Sequence, residues 1–242
     1  MQPDLQSITF RASIKALAFG LIILILKIIE FQAPLASLYM DLAMGVFIFG
    51  LTLCFFLSIL VIQREKQLTF GFRIAQVVLL LSFVSMLLLL IHGITLIPYE
   101  MRVENVPNIW IVLLSALATI IVVLIGGTLI EKDFHKYNVF LARYLADNIR
   151  NVIFTSALVI FGISLVGFGS TIGEFLGAIL LAIFMIRALV SSFYLLMRNI
   201  LKPKISPVVN YVMKLEREYP PITFTSIKAY QLANLYAIEL LC

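Results

Sequence analysis

The chain has 242 residues, of which 62% are hydrophobic and 13% charged, and its formal net charge is +5. Its mean hydropathy is +1.08, whereas about a quarter of the residues of a soluble domain are charged. A water-soluble fold is excluded because only lipid can cover so much apolar surface, and the chain is predicted to be an integral membrane protein. Its two cysteines, Cys54 and Cys242, are too few for a disulfide framework or a thiolate metal cluster.

Six apolar segments are long enough to cross a membrane, since about twenty apolar residues span a hydrocarbon core of roughly 30 Å. The connections between them carry the proline, glycine and charged residues that interrupt helices. The first segment follows two cations, as in a signal peptide, but it lacks a small-residue cleavage site and is predicted to be a retained helix. The predicted spans cover residues 14–33, 34–62, 74–97, 109–130, 139–168 and 175–197.

Positive charge is concentrated at one end of these predicted helices. The N-terminal segment, the second and fourth connections and the C-terminal tail are basic, whereas the other connections contain Glu30, Glu100, Glu104 and Glu174. Because lysine and arginine are retained on the cytoplasmic side, both termini are predicted to be cytoplasmic, which requires an even number of spans. This distribution explains the net charge without a nucleic-acid partner.

The chain changes character after the last apolar segment. Residues 206–219 have helical periodicity, and two runs rich in β-branched and aromatic residues follow the prolines at 220–221. We predict a six-helix transmembrane domain over residues 1–202 and a partial cytoplasmic domain over residues 203–242. A lone hairpin is marginal in water and leaves an edge that another chain can pair with. The predicted fold class is an all-α membrane protein, a six-helix bundle with a short cytoplasmic αββ tail.

Ionisable residues inside the predicted spans are candidate functional residues, because a charge in the bilayer is costly unless it is paired or hydrated. Asp147 in the fifth segment has Arg143 and Arg150 at i−4 and i+3. Two interpretations of Asp147 therefore remain, namely metal or proton binding and a structural ion pair with an arginine of its own helix. Asp41 in the second segment has no sequence-near cation except Lys27, across the first turn, which favours a functional role for it. Arg187 in the sixth segment should seek a carboxylate, and pairing with Asp41 or Asp147 would lower the metal affinity there.

Three further features have structural interpretations. Lys27, near the outer end of the first segment, is expected to extend its ammonium to the membrane interface. His92 has no partner at ligand spacing and is expected to be a packing residue. The glycines of LVGFGSTIG are expected to form a tight outer turn.

Three stretches of the chain resemble, in order, the cation diffusion facilitator family of proton-coupled metal exporters. LKIIEFQAPLASLYMDLAMG, residues 26–45, is similar to the end of that family's first helix and its metal-binding second helix. FGFRIAQ, residues 70–76, resembles the start of the third helix, and LADNIRNVIFTSA, residues 145–157, resembles the fifth. The six-span layout, with both ends inside and the start of a cytoplasmic tail, also fits the family.

The resemblance implies a tetrahedral metal site made by two residues on the second helix and two on the fifth, each pair at i, i+4. The matching positions are Asp41 and Gly45, and then Asp147 and Asn151, with Thr155 at the following polar position. The implied metal ligands are therefore Asp41, Asp147 and Asn151. Helical rise puts Asp41 about 12 Å from the outer side and Asn151 about 18 Å from the inner side of a ~30 Å core, so both are expected at one level.

The resemblance also implies a function, which is exchange of a cytoplasmic divalent cation for protons by a homodimer in the plasma or inner membrane. The family suggests zinc, manganese or iron as cargo, whereas oxygen-only ligands favour manganese or magnesium; no permanently bound cofactor is expected. The alternative is a degenerate, non-transporting relative that acts as a dimer partner or scaffold, because ligand positions have changed and the tail lacks the family's second half. An enzyme is not expected, because the sequence has no nucleophile and base pair, phosphate loop or metal-spaced His/Cys cluster.

Overall fold

The structure is a computed structural model that describes residues 3–63, 68–100, 106–135, 140–201, 226–232 and 235–241. Side chains are described for residues 10–57, 59–60, 74, 77–99, 106–129, 145, 148–191 and 193–194. Within these ranges the chain forms six long helices and one pair of strands. The helices are α1 Pro3–Glu30, α2 Ala36–Gln63, α3 Leu68–Leu96, α4 Ile109–His135, α5 Phe140–Gly167 and α6 Gly173–Leu201, with a short 3-10 turn, Ile97–Glu100, after α3.

Each of the six helices contains a stretch that is long and apolar enough to cross a membrane, which confirms the predicted six-helix membrane architecture. We call the end of the bundle where α1, α3 and α5 begin the amino side, and the end where they finish the distal side. The first turns of α5, which begins at Phe140, contain charged residues at its amino-side end.

The turn between α5 and α6 on the distal side is the glycine turn predicted from LVGFGSTIG. The Ser170 N–H donates to the Leu165 carbonyl and the Gly169 N–H donates to the Val166 carbonyl, each at 2.9 Å, which is the Schellman arrangement for ending a helix. Gly169 has a φ of +88°, a left-handed conformation that glycine adopts without steric cost. The chain therefore reverses direction within a few residues, and α5 and α6 are antiparallel neighbours.

α2 lies at the centre of the bundle, where it contacts α1, α3, α5 and α6. α1 also packs against α4, and α4 packs against α5. Of the apolar stretch of α2, 67% is buried, compared with 28% of that of α4. Polar side chains on α2 are consequently surrounded mostly by protein, whereas much of α4 faces lipid.

Glycines let α5 and α6 cross closely near the distal side. A Cβ added to Gly177 would lie 2.8 Å from the Gly162 Cα, so a larger side chain would separate the two helices. Gly173 and Gly177 have the four-residue spacing that is typical of close helix contacts in membranes. The crossing brings the first turn of α6 against the last turns of α5.

The C-terminal region contains two strands, β1 Ser226–Leu232 and β2 Leu235–Leu241, which pair antiparallel with Ser226 opposite Leu241. β1 contacts α3 and α6. The helix predicted over residues 206–219 lies outside the described residues, so the αββ tail as a unit stays a prediction.

Candidate functional site

A buried ionic cluster lies between α1, α2 and α5, toward the distal side. Lys27 in the last turn of α1 is 1% exposed, and its Nζ donates to the Asp41 carboxylate, to the Glu30 Oε2 at 3.0 Å and to the Ser156 Oγ at 2.7 Å. We call these four residues the Lys27 cluster. The expectation that Lys27 extends to the membrane interface is wrong, because two carboxylates hold its ammonium inside the bundle.

Gly45 provides the space for the Lys27 side chain. It lies four residues after Asp41, on the same face of α2. A Cβ added to Gly45 would be 2.9 Å from the Lys27 Cγ and 3.2 Å from the Lys27 Cβ. The aliphatic stem of the lysine thus passes directly over α2 to bring the ammonium to Asp41, and Gly45 has a packing function at this position.

The Lys27 cluster contains one ammonium and two carboxylates, and all four of its residues are at most 1% exposed. An ammonium has three N–H donors, and here it meets three different acceptor side chains. The second oxygen of each carboxylate, Asp41 Oδ1 and Glu30 Oε1, is buried and has no hydrogen-bond partner in the part of the chain that the structure describes. Because unpartnered buried oxygens are costly, the cluster has unused capacity to bind a proton or a metal cation.

A second buried carboxylate, Glu174, lies in the first turn of α6. Its Oε1 accepts a hydrogen bond from the Ser37 backbone N–H at 3.1 Å, at the start of α2. Glu174 thus lies at two helix N-termini, where the partial positive charge of the backbone stabilises an anion. Its Oε2 and the Ser37 Oγ have no hydrogen-bond partner among the side chains and backbone groups described. Glu174 is therefore a further candidate acceptor of a proton or cation.

The three predicted metal ligands are in different situations. Asp41 belongs to the Lys27 cluster, and the side chain of Asp147 lies outside the described ones. Asn151 is half-buried on α5, five residues before Ser156, which corresponds to about 7.5 Å along the helix axis toward the amino side. The described contacts join Asp41 to Lys27, and Lys27 to Ser156 rather than to Asn151. Among the described residues no group of three or more His, Cys, Asp or Glu forms a metal site, so the three-ligand set stays a prediction.

The other polar residues singled out from the sequence lie outside the Lys27 cluster. Arg187 is exposed on α6 and forms no ion pair with any described carboxylate, so Lys27 rather than Arg187 compensates Asp41. Arg150 is exposed and has a partner within the chain. Thr155 is buried, and its hydroxyl donates to the backbone of its own helix at 3.1 Å. His92 is exposed, and its ring packs edge-on against the ring of Tyr39, with centroids 4.6 Å apart.

Sequence reasoning missed three polar residues of these buried sites, namely Glu30, Ser156 and Glu174. The charge pattern assigns both glutamates to exposed connections, yet Glu30 is 1% exposed and Glu174 is fully buried. A signal for Glu30 exists, because it lies three residues after Lys27, the spacing of an ion pair on one helix face. Ser156 carries no such signal, because it lies 129 residues from Lys27 in the chain.

Comparison with known proteins does not identify a family. The described residues establish a six-helix membrane bundle with two buried acidic sites, and its function has to be inferred from those sites. The resemblance to the cation diffusion facilitator family rests on the three sequence stretches. No protein-family model matches the chain, and no curated protein matches it significantly.

Proposed function

We propose that the protein is a membrane transporter of the cation diffusion facilitator type that exchanges a divalent cation for protons. The observation that carries this proposal is the Lys27 cluster, in which two buried carboxylates share one ammonium and each keeps one oxygen without a hydrogen-bond partner among the described residues. Ionisable groups inside a membrane bundle commonly mark an ion or proton pathway, because they are costly there. Lys27 then acts as an internal cation that occupies the site when no metal is bound.

The charges of the Lys27 cluster determine how many protons a metal ion replaces. With Lys27, Glu30 and Asp41 all ionised, the cluster carries one net negative charge, which a proton on either carboxylate neutralises. A divalent cation held by both ionised carboxylates gives a neutral cluster only if Lys27 has lost its proton. Because net charge inside a bilayer is costly, the two neutral states are favoured, and passing between them exchanges one divalent cation for two protons.

Other residues extend this site along the bundle. Asp147 and Asn151 precede Ser156 on α5, toward the amino side, and in this proposal they bind the cation before it reaches Asp41. The metal ligands are then Asp41, Asp147 and Asn151, used in succession along the pathway. Their oxygen atoms favour hard cations such as manganese or magnesium over zinc.

The proposed orientation and assembly follow from the charges and from the tail. With the amino side in the cytoplasm, as the basic residues indicate, the cation enters past Asp147 and leaves on the distal side. Residues 203–242 then form an αββ tail in the cytoplasm, and the edge of its hairpin favours pairing with a second copy. The transporter is thus a homodimer in the plasma or inner membrane.

Metal uptake by the purified protein in liposomes tests this function. An opposed proton gradient should drive Mn²⁺ uptake, with about two protons moved per ion because protons and metal compete for the same groups. Asp41→Asn should lower the rate at least about tenfold. Ser115→Ala is the matched control, because Ser115 is buried in a span and its described hydroxyl hydrogen bonds are to its own helix. A wild-type protein that moves no protons with Mn²⁺, Mg²⁺, Zn²⁺ or Fe²⁺ would exclude the transporter.

A non-transporting membrane scaffold or dimer partner is the second candidate, and the complete coordination of Lys27 favours it. The ammonium has an acceptor for each donor, and Gly45 fits the lysine stem, as in a structural ion pair. In that case wild-type liposomes show no coupled flux. Lys27→Met should then lower the free energy of unfolding by about 3–5 kcal/mol, because two carboxylates lose their counterion, and Lys27→Met/Asp41→Asn should recover part of it.

A further inference from the structure

Two arginines lie on the membrane-facing surface of α5 and α6. Arg150 and Arg187 are both exposed. Arg150 lies four residues before Phe154, Arg187 lies three residues after Phe184, and the two rings pack with centroids 5.7 Å apart. Residues three or four apart share a helix face. Since α5 and α6 are antiparallel, both arginines lie on the amino side of the aromatic pair and along the same strip of surface.

Both arginines lie toward the amino-side edge of the hydrocarbon core. On the distal side α5 ends at Gly167, 17 residues after Arg150, and α6 begins at Gly173, 14 residues before Arg187. The helical rise puts the arginines about 25 Å and about 21 Å from that end, so a ~30 Å core leaves about 5 Å and about 9 Å to its amino-side edge. Arginine side chains snorkel over such distances to bring their charge to the interface. Both guanidinium groups can thus reach the headgroup layer of the amino side.

A groove beside Arg150 has room for an acyl chain. It lies between α4 and α5, has a volume of about 310 Å³, and is lined by aliphatic side chains, Gly127 and Phe154. Thr128 and Arg150 form its polar part. Thr128 lies 19 residues after Ile109, where α4 begins on the distal side, which is about 28 Å along the helix axis, so the polar part of the groove lies near the amino-side edge of a ~30 Å core.

We propose that Arg150 and Arg187 bind the phosphate of an anionic phospholipid, one acyl chain of which occupies the groove between α4 and α5. Arg187 forms no ion pair with a described carboxylate, and a lipid phosphate would provide it with a counterion. Arg150 has a partner within the chain, but the five N–H donors of a guanidinium leave room for a second acceptor. Arginine binds phosphate through bidentate hydrogen bonds, and basic pockets between transmembrane helices recognise anionic headgroups. This site is independent of the proposed transport.

Fluorescence quenching by brominated lipids tests the site in the full chain. The chain has one tryptophan, so Trp110→Phe/Phe154→Trp gives a single tryptophan at a position that belongs to both the groove and the aromatic pair. The protein is reconstituted with brominated phosphatidylglycerol in one sample and with brominated phosphatidylcholine in another. The brominated lipid carries its bromine on the acyl chains and is present at the same mole fraction in both samples. We expect a preference for phosphatidylglycerol of about fivefold for each arginine that contributes. Equal quenching by the two lipids would overturn the proposal.

Charge variants in the same background identify the groups responsible. Arg150→Gln/Arg187→Gln should remove the preference, and each single substitution should lower it by about fivefold, which provides the test if the double variant does not fold. The control variant Arg11→Gln/Lys15→Gln also removes two positive charges from exposed positions, here near the amino end of α1. It should keep the preference. Loss of the preference in this control, or its survival in the double arginine variant, would refute the assignment. Displacement by millimolar inorganic phosphate would refute a lipid as the ligand.

Discussion

At the scale of single residues, Lys27 depends on having both acceptors and space inside the bundle. A buried ammonium needs an acceptor for each of its three donors, and Asp41, Glu30 and Ser156 supply them. Its stem also needs room, which Gly45 supplies by having no side chain. Asp41 and Gly45 on α2 therefore accommodate the lysine of α1 together, Asp41 as a hydrogen-bond acceptor and Gly45 by leaving space for the stem.

Replacement of Gly45 tests this packing. Gly45→Ala should lower the free energy of unfolding by about 1–3 kcal/mol, because an added methyl group overpacks the interior against the Lys27 stem. Gly127→Ala is the matched control, since its Cβ would meet the Ile149 Cγ2 at 3.5 Å, an ordinary contact. Alanine at position 127 should be neutral or gain up to about 1 kcal/mol from its helix propensity. Unfolding in detergent micelles measures both variants, and equal stabilities would show that the lysine does not need the space at position 45.

At the scale of helices, α2, α5 and α6 are joined near the distal side around one carboxylate. Glu174 extends from the first turn of α6 to the backbone N–H of Ser37 at the start of α2. Gly162 of α5 lies beside it, since a Cβ there would be in ordinary contact with the Glu174 Oε2 at 3.5 Å. Because α2 is the central helix, a change at Glu174 is expected to affect the arrangement of the whole distal end.

A graded pair of substitutions tests this junction. Glu174→Ala should lower the free energy of unfolding by about 1–3 kcal/mol, because the buried Ser37 N–H loses its acceptor. Glu174→Gln keeps an acceptor oxygen and loses only the interaction of the charge with the helix N-termini, which is worth about 0.3–1 kcal/mol, or up to about 2 kcal/mol when buried. Detergent unfolding of the two variants distinguishes the contributions. If the glutamine variant is as unstable as the alanine variant, the charge rather than the hydrogen bond holds the junction.

At the scale of the whole molecule, buried and exposed charges lie at opposite ends of the bundle. The buried ones are near the distal side: Lys27, Glu30, Asp41 and Glu174. The exposed cations with described side chains are near the amino side: Arg11, Lys15, Arg150 and Arg187. Exposed cations tend to remain on the cytoplasmic face during insertion, which supports an inward-facing amino side.

Labelling of introduced cysteines tests this orientation. In a Cys54→Ser/Cys242→Ser background, Glu104→Cys should react with an impermeant maleimide on intact cells, because the connection of Glu104 is predicted to be extracellular. Arg64→Cys should react only after the cells are permeabilised, because basic connections stay in the cytoplasm. The reverse labelling pattern would invert the orientation and with it the proposed direction of transport.

The spans could be predicted because crossing a membrane is a local requirement. A helix of about twenty apolar residues satisfies its own backbone hydrogen bonds and matches a ~30 Å core whatever its neighbours are. The turn at Gly169 is local for the same reason, since only glycine adopts its φ of +88° readily. The buried site was predicted only in part, because hydropathy shows that Asp41 lies in an apolar segment but not which charge lies beside it.

The order of residues therefore determined the membrane class, the six helices and the asymmetry of charge, all of which depend on segments of about twenty residues. Tertiary structure alone decided that Lys27 meets Asp41, 14 residues later, and Ser156, 129 residues later. It also decided that Glu30 and Glu174 are buried rather than solvated. The physical reason is that the end of a helix can face water, lipid or another helix, and only the packing of α1, α5 and α6 around α2 selects among them.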